Sequence, residues 1–364
     1  MNNHKIKKIF SALISLVLAS NMGFLLSNAE NIVGDINEDG KIDNSDLVSL
    51  GQYLIGAVDN SVINLNAADV TGDGNVDVAD LALMKQYLMG DNVDFVEGSN
   101  QITLNDIPLE YKESLEWIWN NRVVRERSTD RLNLIFDQIY AGKGTLNYVV
   151  RWQSSLSLTL QQRKDMEKML NRQVNNWTKH LVNYDGWKYE DIKVKVVGWA
   201  VADKNQIIDK QDYEKIYTET VEDGLNIENS AIPKLLPYAP NAISRFENFM
   251  NKSYVYPNGY ENRFDMYLWG TSSFGGGAGG DWGQRVSDVY ILNSLNNEIS
   301  TIIEHEMGHG FGLTDFYGED ERPPSGFPEK TIMWAGNSPT ITSYDVWMLR
   351  YVWTMIKDQS SRFN

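Results

Sequence analysis

The segment His305-Glu306-Met307-Gly308-His309-Gly310-Phe311-Gly312-Leu313-Thr314-Asp315 carries most of the chemistry legible in this 364-residue chain. On a helix, His305 and His309 stand one turn apart on one face, so both imidazoles can reach one metal ion. Glu306 lies beside them, placed to accept a proton from a water at that metal. Gly312 can take the left-handed conformation that ends a helix and turns the chain back. Asp315 then falls where a third ligand is needed. Histidine is scarce: beyond the first few residues there are only His180, His305 and His309, so two of three in one motif point to a site. His180 sits in the polar run Asn175-Asn176-Trp177-Thr178-Lys179 and reads as a surface helix position.

Periodicity places this helix at 298–310, after strands at 146–152, 192–202, 264–270 and 286–292 and a long amphipathic helix at 158–182. A closing helix follows from Ser343-Tyr344-Asp345 to Trp353. The extended motif resembles the metzincin clan of zinc peptidases, in the variant with Asp as the third ligand. Residues 305–317 are similar to snapalysin and the immune inhibitor A peptidases, which share Gly-Leu-x-Asp-x-Tyr after the second His. The resemblance implies an α+β domain: a twisted mixed sheet, an active-site helix crossing behind it and a Met turn. It implies one Zn²⁺ held by His305, His309 and Asp315, Glu306 as general base, a protein or peptide substrate, and Met333 of Thr331-Ile332-Met333-Trp334 as an apolar floor. Some clan members place a Tyr two residues after that Met, where this chain has Ala335. Glu329 stands where thermolysin-like peptidases put a ligand, but between Pro328 and Lys330 it reads as loop, and Asp315 is preferred.

The Gly-rich stretch 274–283 lacks the Lys-Ser/Thr and following helix of a phosphate loop. By the resemblance it precedes the edge strand that pairs with substrate backbone. Asp281 and Asp288 within and after it are not assigned to a metal. Residues 319–328 are a pocket wall by family position, or a surface loop. Residues 111–140, with Trp117-Ile118-Trp119, are either a propeptide or an N-terminal extension of the fold.

Upstream the chain repeats itself. Asp35-Ile36-Asn37-Glu38-Asp39-Gly40-Lys41-Ile42-Asp43-Asn44-Ser45-Asp46 recurs 34 residues later as Asp69-Val70-Thr71-Gly72-Asp73-Gly74-Asn75-Val76-Asp77-Val78-Ala79-Asp80. Oxygen donors at alternating positions around a glycine suit Ca²⁺. Asp35, Asn37, Asp39 and Asp46 offer side-chain oxygens in the first loop, Lys41 its carbonyl, and Asp43 a contact through water. Asp69, Thr71, Asp73, Asp77 and Asp80, with the Asn75 carbonyl, do so in the second. Each loop opens a short helix ending in Gln-Tyr-Leu-x-Gly, at Gly56 and Gly90. Position 12 is Asp rather than the Glu of an EF-hand, and the segment 58–68 before the second loop is Asn-rich and irregular. Loop then helix, twice, resembles the type I dockerin module, a small all-α fold. That implies two Ca²⁺ ions and docking to a cohesin on a scaffoldin of a cellulosome. The family's partner-selecting positions are Asn44, Ser45, Val78 and Ala79, and the two repeats differ there.

These readings divide the chain into 1–29, 30–92 (dockerin), 93–107 (linker) and 108–364 (metzincin-like). Lys5, Lys7 and Lys8, an apolar run and Ser27-Asn28-Ala29 have the form of a signal peptide, with an uncleaved anchor as the lesser reading. Cleavage would make the formal charge of −16 three units more negative. So acidic a chain is a poor partner for nucleic acid or anionic membrane. It has no cysteine, so an exported protein of this sequence relies on its core or on metals. The functional expectation is a secreted, cellulosome-associated zinc metalloendopeptidase. The rivals are a carbohydrate-active or cellulose-binding component, with eleven tryptophans available for sugar stacking, and a catalytically dead subunit held by its dockerin.

Overall fold

The structure is a computed structural model that describes residues 32–58, 63–72, 76–95, 102–126, 129, 132–224, 230–334, 337–359 and 362–363. The expected signal peptide lies outside the described residues, as do Asp73 and Asn75 of the second loop and Ala335. The chain divides into two compact units, Met1–Asn100 and Gln101–Asn364. Among the described residues no helix is long and apolar enough to cross a membrane.

In the first unit α1 (Asn44–Leu54), α2 (Leu65–Ala68) and α3 (Val78–Leu88) enclose a small core of Ile36, Leu50, Ile63, Ala67, Ala68, Val70 and Met84. The short α2 lies in the segment read as irregular from sequence; Asn64 Oδ1 caps it by accepting from Ala67 N at 3.1 Å. The two repeats are tied by backbone bonds, Gly34 N to the Ala67 carbonyl and Asn64 N to the Ile36 carbonyl, each 2.8 Å. Phe95 packs on Tyr87 with ring centroids 4.4 Å apart. It therefore belongs to this unit rather than to the expected linker.

In the second unit the described chain begins at Ile102. Ile102 and Asn183–Asp185 exchange backbone bonds at 3.1 Å, so the polar run 93–107 is structured at both ends. α4 (Leu109–Ile118) continues through a π-helical turn, Trp119–Val123, and α5 spans Ile135–Ala141. β1 (Thr145–Gln153) is followed by α6 (Leu160–Thr178) and β2 (Lys193–Val201). β3 (Ile216–Tyr217), a hairpin of β4 (Thr220–Glu222) and β5 (Leu235–Pro237), and β6 (Met266–Thr271) come next. β7 (Gly277–Gly280), β8 (Gly283–Ser287), α7 (Asp288–Ser294), α8 (Thr301–Gly310) and α9 (Ser343–Lys357) complete it.

The six-stranded sheet runs β3-β2-β1-β6-β8-β7, parallel throughout except that β7 is antiparallel to β8 at the edge. This is a mixed α/β unit with a mostly parallel sheet. Parallel pairing needs crossovers, and α6 supplies the one between β1 and β2. Alternation on β1 sends Tyr148, Val150 and Trp152 into the main core with Met169, Trp177, Met307 and Phe311, while Val149 joins a smaller cluster with Ala200, Ala239 and Phe264.

Two strand expectations are corrected. The stretch 286–292 is not one strand: the strand ends at Ser287 and Asp288 starts α7. The Asp288 carboxylate accepts from Ser154 Oγ (2.5 Å), Ser272 Oγ (2.6 Å) and Val289 N (2.7 Å), which tie it to that turn. The Gly-rich stretch does not precede the edge strand; it is the edge strand, invisible to a search for β-branched residues. Its glycines have a steric cause. A Cβ on Gly279 would lie 2.2 Å from the Glu306 carbonyl oxygen, and one on Gly277 2.1 Å from Glu306 Oε1. β7 thus lies directly against α8 at the motif glutamate.

Residues 111–140 prove integral. Leu115, Ile118, Val123, Ile135, Phe136 and Ile139 are core residues, and Phe136 meets Phe311 edge to face at 5.0 Å. His180 is half-buried rather than a surface position, in a 3₁₀ turn whose carbonyl accepts from Arg350 Nε at 3.0 Å. Burial, with Lys179 and Arg350 nearby, pushes its imidazole down to about 4.

The close approach of β7 to α8 makes a prediction. Gly279→Ala forces backbone apart and is expected to cost roughly 1–3 kcal/mol of stability. Gly275→Ala, with nothing within 4 Å of its Cβ, serves as the neutral control. Thermal unfolding of both variants checks it; equal midpoints would show that the strand yields freely.

Candidate metal centres

The first-unit loops show how carboxylates are gathered before any ion is considered. Asp43 and Asp77 are N-caps of α1 and α3, accepting from Ser45 N (2.7 Å) and Ala79 N (2.6 Å). Asp46 and Asp80, three residues on, return the bond to the cap nitrogen at 2.8 Å. Both are fully buried. Asp46 Oδ1 also accepts from Ile36 N (2.8 Å) and Asn37 N (3.1 Å), and Asp80 Oδ1 from Thr71 N (3.0 Å) and Thr71 Oγ1 (2.9 Å). Asp35 accepts from Asp39 N (3.0 Å) and Gly40 N (2.8 Å), and Asp69 from Gly72 N (2.8 Å). Asn37 Oδ1 accepts from Asp39 N and Asp39 Oδ1 from Lys41 N, both at 3.0 Å. Among the described residues no lysine or arginine forms an ion pair with Asp35, Asp39 or Asp46. Buried carboxylates without a cation are costly, and a hard divalent ion fits this oxygen-only set. Asn44, Ser45, Val78 and Ala79 are all exposed in the first turns of the two helices.

Residues 33–89 match the sequence profile of the Dockerin type I domain. This segment is a dockerin. Such domains bind calcium and a cohesin of a scaffoldin, which makes the chain a component anchored in a cellulosome and suggests an extracellular place for it. No curated protein and no solved structure matches the chain.

The second unit holds the other cluster. α8 ends at Gly310, and Gly312 (φ +95°) turns the chain so that Leu313 N reaches the Gly308 carbonyl at 2.9 Å. The same turn brings the Leu313 carbonyl 2.9 Å from His309 Nδ1, while His305 Nδ1 lies 2.8 Å from the Ile332 carbonyl. A carbonyl oxygen only accepts, so each Nδ1 carries the proton and each neutral ring keeps its lone pair on Nε2. The two rings stand 4.9 Å apart, nearly perpendicular. Asp315 Oδ1 lies 3.1 Å from His305 Nε2 and 3.4 Å from His309 Nε2. This oxygen is shielded from solvent, with the two imidazoles beside it. Glu306 reaches 3.9 Å from His305 Nε2 with Oε1 and 3.8 Å from His309 Nε2 with Oε2. Nitrogen and carboxylate donors of His305, Glu306 and His309 all converge within 4.8 Å.

The charges respond accordingly. Burial alone pushes His305 down, but Asp315, the Ile332 carbonyl and Glu306 outweigh it and raise it. Burial alone raises Asp315, and the two imidazoles outweigh it and hold it far below the usual carboxylate range. Tyr317 follows on the same loop. Burial first, then the charges of Asp315 and Glu306, push its hydroxyl up to about 12, so it stays a donor beside them. Glu329 is exposed and outside the cluster, and the 319–328 segment includes a 3₁₀ turn, Glu319–Glu321.

Met333 is fully buried, and a Cβ on Gly308 would lie 2.4 Å from its sulfur, so it packs under α8 between the two histidines. The turn carrying it is pinned by Asp345 of α9. That carboxylate accepts from Ile332 N (3.0 Å), Thr342 N (2.8 Å), Thr342 Oγ1 (2.6 Å) and the Thr331 hydroxyl. Sequence reasoning missed Asp345 as a support and Arg122, which donates to the Asp315 carbonyl at 3.0 Å. The Thr342-to-Asp345 capping box was the available signal for the first; a lone arginine 193 residues from its acceptor gave none for the second.

Two predictions arise here. Removing calcium with EGTA, or Asp46→Ala, is expected to reduce the far-ultraviolet helical signal and abolish retention on a cohesin column; unchanged retention would contradict the calcium role. The second concerns Glu304, almost fully buried, which accepts from Asn176 Nδ2 at 2.6 Å. Burial, against Asn176 and Lys179, pushes it from 4.5 up to about 7. A carboxyl raised on folding adds stability at low pH, and that contribution is lost as pH rises through about 7. Glu304→Gln should therefore match wild type at pH 5 and exceed it by up to about 3 kcal/mol at pH 8. Denaturant melts at the two pH values test the sign.

Proposed function

We propose that the second unit is a zinc-dependent metalloendopeptidase, presented on a cellulosome by the dockerin. One observation carries the reading: two imidazole Nε2 atoms and a solvent-shielded carboxylate oxygen converge at 3.1 and 3.4 Å, with both Nδ1 atoms committed to backbone carbonyls on the far side of the rings. Donors held about 2.0–2.1 Å from a tetrahedral centre stand about 3.3–3.4 Å apart, close to the 3.1 and 3.4 Å found here. The residues present fit zinc, which His305, His309 and Asp315 would hold.

When bound, zinc supplies Lewis acidity to the peptide carbonyl and to the attacking water. Glu306, a step outside the donor set, accepts the proton of that water and returns it to the leaving amine. The protonated Tyr317 hydroxyl is a donor available to the developing oxyanion, a role the absent Tyr at position 335 leaves open. β7 presents an antiparallel strand edge beside Glu306, where extended peptide backbone can add to the sheet. Its glycines keep side chains out of that approach. A fold with one antiparallel edge strand beside the active-site helix and a buried Met under the histidines supports the metzincin resemblance.

The carbohydrate reading gains nothing from the tryptophans. None of the eleven falls among the fully exposed residues: Trp152, Trp177 and Trp353 are core residues, and Trp117, Trp269, Trp282 and Trp334 are partly buried.

Glu306→Gln is expected to retain about one zinc per chain by elemental analysis while peptide hydrolysis falls by at least a hundredfold. Undiminished hydrolysis would remove Glu306 from the mechanism, and a correctly folded wild type without zinc would remove the peptidase reading.

A further inference from the structure

The segment bearing Asp315 has no regular secondary structure from Leu313 to Tyr317, so no helix or strand ladder holds it in place. Its carboxylate oxygen lies 3.1 and 3.4 Å from the Nε2 atoms of His305 and His309, so the position of this loop sets the geometry of the cluster. Arginines hold its backbone.

Arg122 stands in the π-helical turn Trp119–Val123, a kind of turn enriched at functional sites. Its Nη2 donates to the Asp315 carbonyl at 3.0 Å and its Nη1 to the Glu321 carbonyl, while Glu126 pairs with the same guanidinium. Arg322 donates from Nε to the Phe316 carbonyl at 3.1 Å and from Nη2 to the Tyr317 carbonyl at 2.8 Å. Its guanidinium stacks 3.7 Å over Trp334, the residue after Met333. Three successive carbonyls, at 315, 316 and 317, thus each accept from an arginine. Charge-assisted bonds in a forked geometry fix position as well as add energy.

We propose that Arg122 and Arg322 are positioning residues that preset Asp315 for the metal, making the N-terminal helical segment a working part of the metal site. This rests on the zinc reading of that site. Ligand-orienting partners of this kind typically change metal affinity ten- to a hundredfold.

The test uses the full chain and reads metal binding rather than turnover. Zinc dissociation constants come from competition with a chromophoric chelator, and the Co²⁺-substituted protein gives a ligand-field spectrum. Arg122→Gln and Arg322→Gln are each expected to weaken zinc ten- to a hundredfold and to shift the Co²⁺ bands. Arg122→Lys, which retains the charge opposite Glu126 but not the fork, should fall between. In an Asp315→Ala background the arginine changes should cost nothing further, because the ligand they position is gone. Should Arg122→Gln fail to fold, Arg322→Gln and Arg122→Lys carry the same comparison. Wild-type affinity and spectra in the arginine variants would overturn the proposal and leave the zinc reading intact, as would losses that add in full to that of Asp315→Ala. Absence of zinc from folded wild type would overturn both.

Discussion

A buried carboxylate oxygen set against two imidazole lone pairs is the constraint around which the second unit is organised. Asp315 Oδ1 lies 3.1 and 3.4 Å from nitrogens whose protons are committed on the far side of each ring, to the Ile332 and Leu313 carbonyls. Burial keeps water from these groups, so each depends on the others for its electrostatic surroundings. Burial lowers His305, and Asp315, the Ile332 carbonyl and Glu306 outweigh it.

The surrounding fold makes that arrangement rigid by bringing backbone close. β7 can approach Glu306 only because positions 277 and 279 lack a Cβ, and Met333 can sit under the histidines only because position 308 does. The same absence of side chains lowers strand propensity, so the sheet edge forms by pairing with β8 rather than by local preference. Sterics at the helix thus take precedence over propensity in the strand.

This explains what could be read from the sequence and what could not. The loop-then-helix repeat was legible because spacing, glycine and capping residues all sit within twelve positions, and the profile match at 33–89 agrees with it. The His305-to-Asp315 grouping was legible for the same reason: one helix and one turn set its geometry. The strands at 145–153 and 193–201 followed from alternation. The Gly-rich edge strand was not legible, because period-two hydrophobicity has no signal where there are no side chains. Nor was the role of 111–140, whose contacts are made with chain some two hundred residues away: Arg122 with Asp315, Tyr344 Oη with Ser114 Oγ at 2.8 Å. His180 was misplaced because polar neighbours in sequence say little about what Arg350 brings over it.

One local device recurs in both units and links their chemistry to helix capping. Asp46, Asp80 and Asp345 each occupy the third position of a helix, close a capping box, and use remaining lone pairs to hold the preceding loop. In the first unit that loop is a calcium loop, gripped at Ile36 and Asn37 by Asp46 and at Thr71 by Asp80. In the second it is the Met333 turn, gripped at Ile332, whose carbonyl orients His305. A carboxylate has about four acceptor sites and a capping box uses one or two, so the remainder can organise neighbouring backbone. Burial raises the Asp345 carboxyl, and the donors around it pull the other way. In a chain with no cysteine, helix starts of this kind fix neighbouring loops without a disulfide.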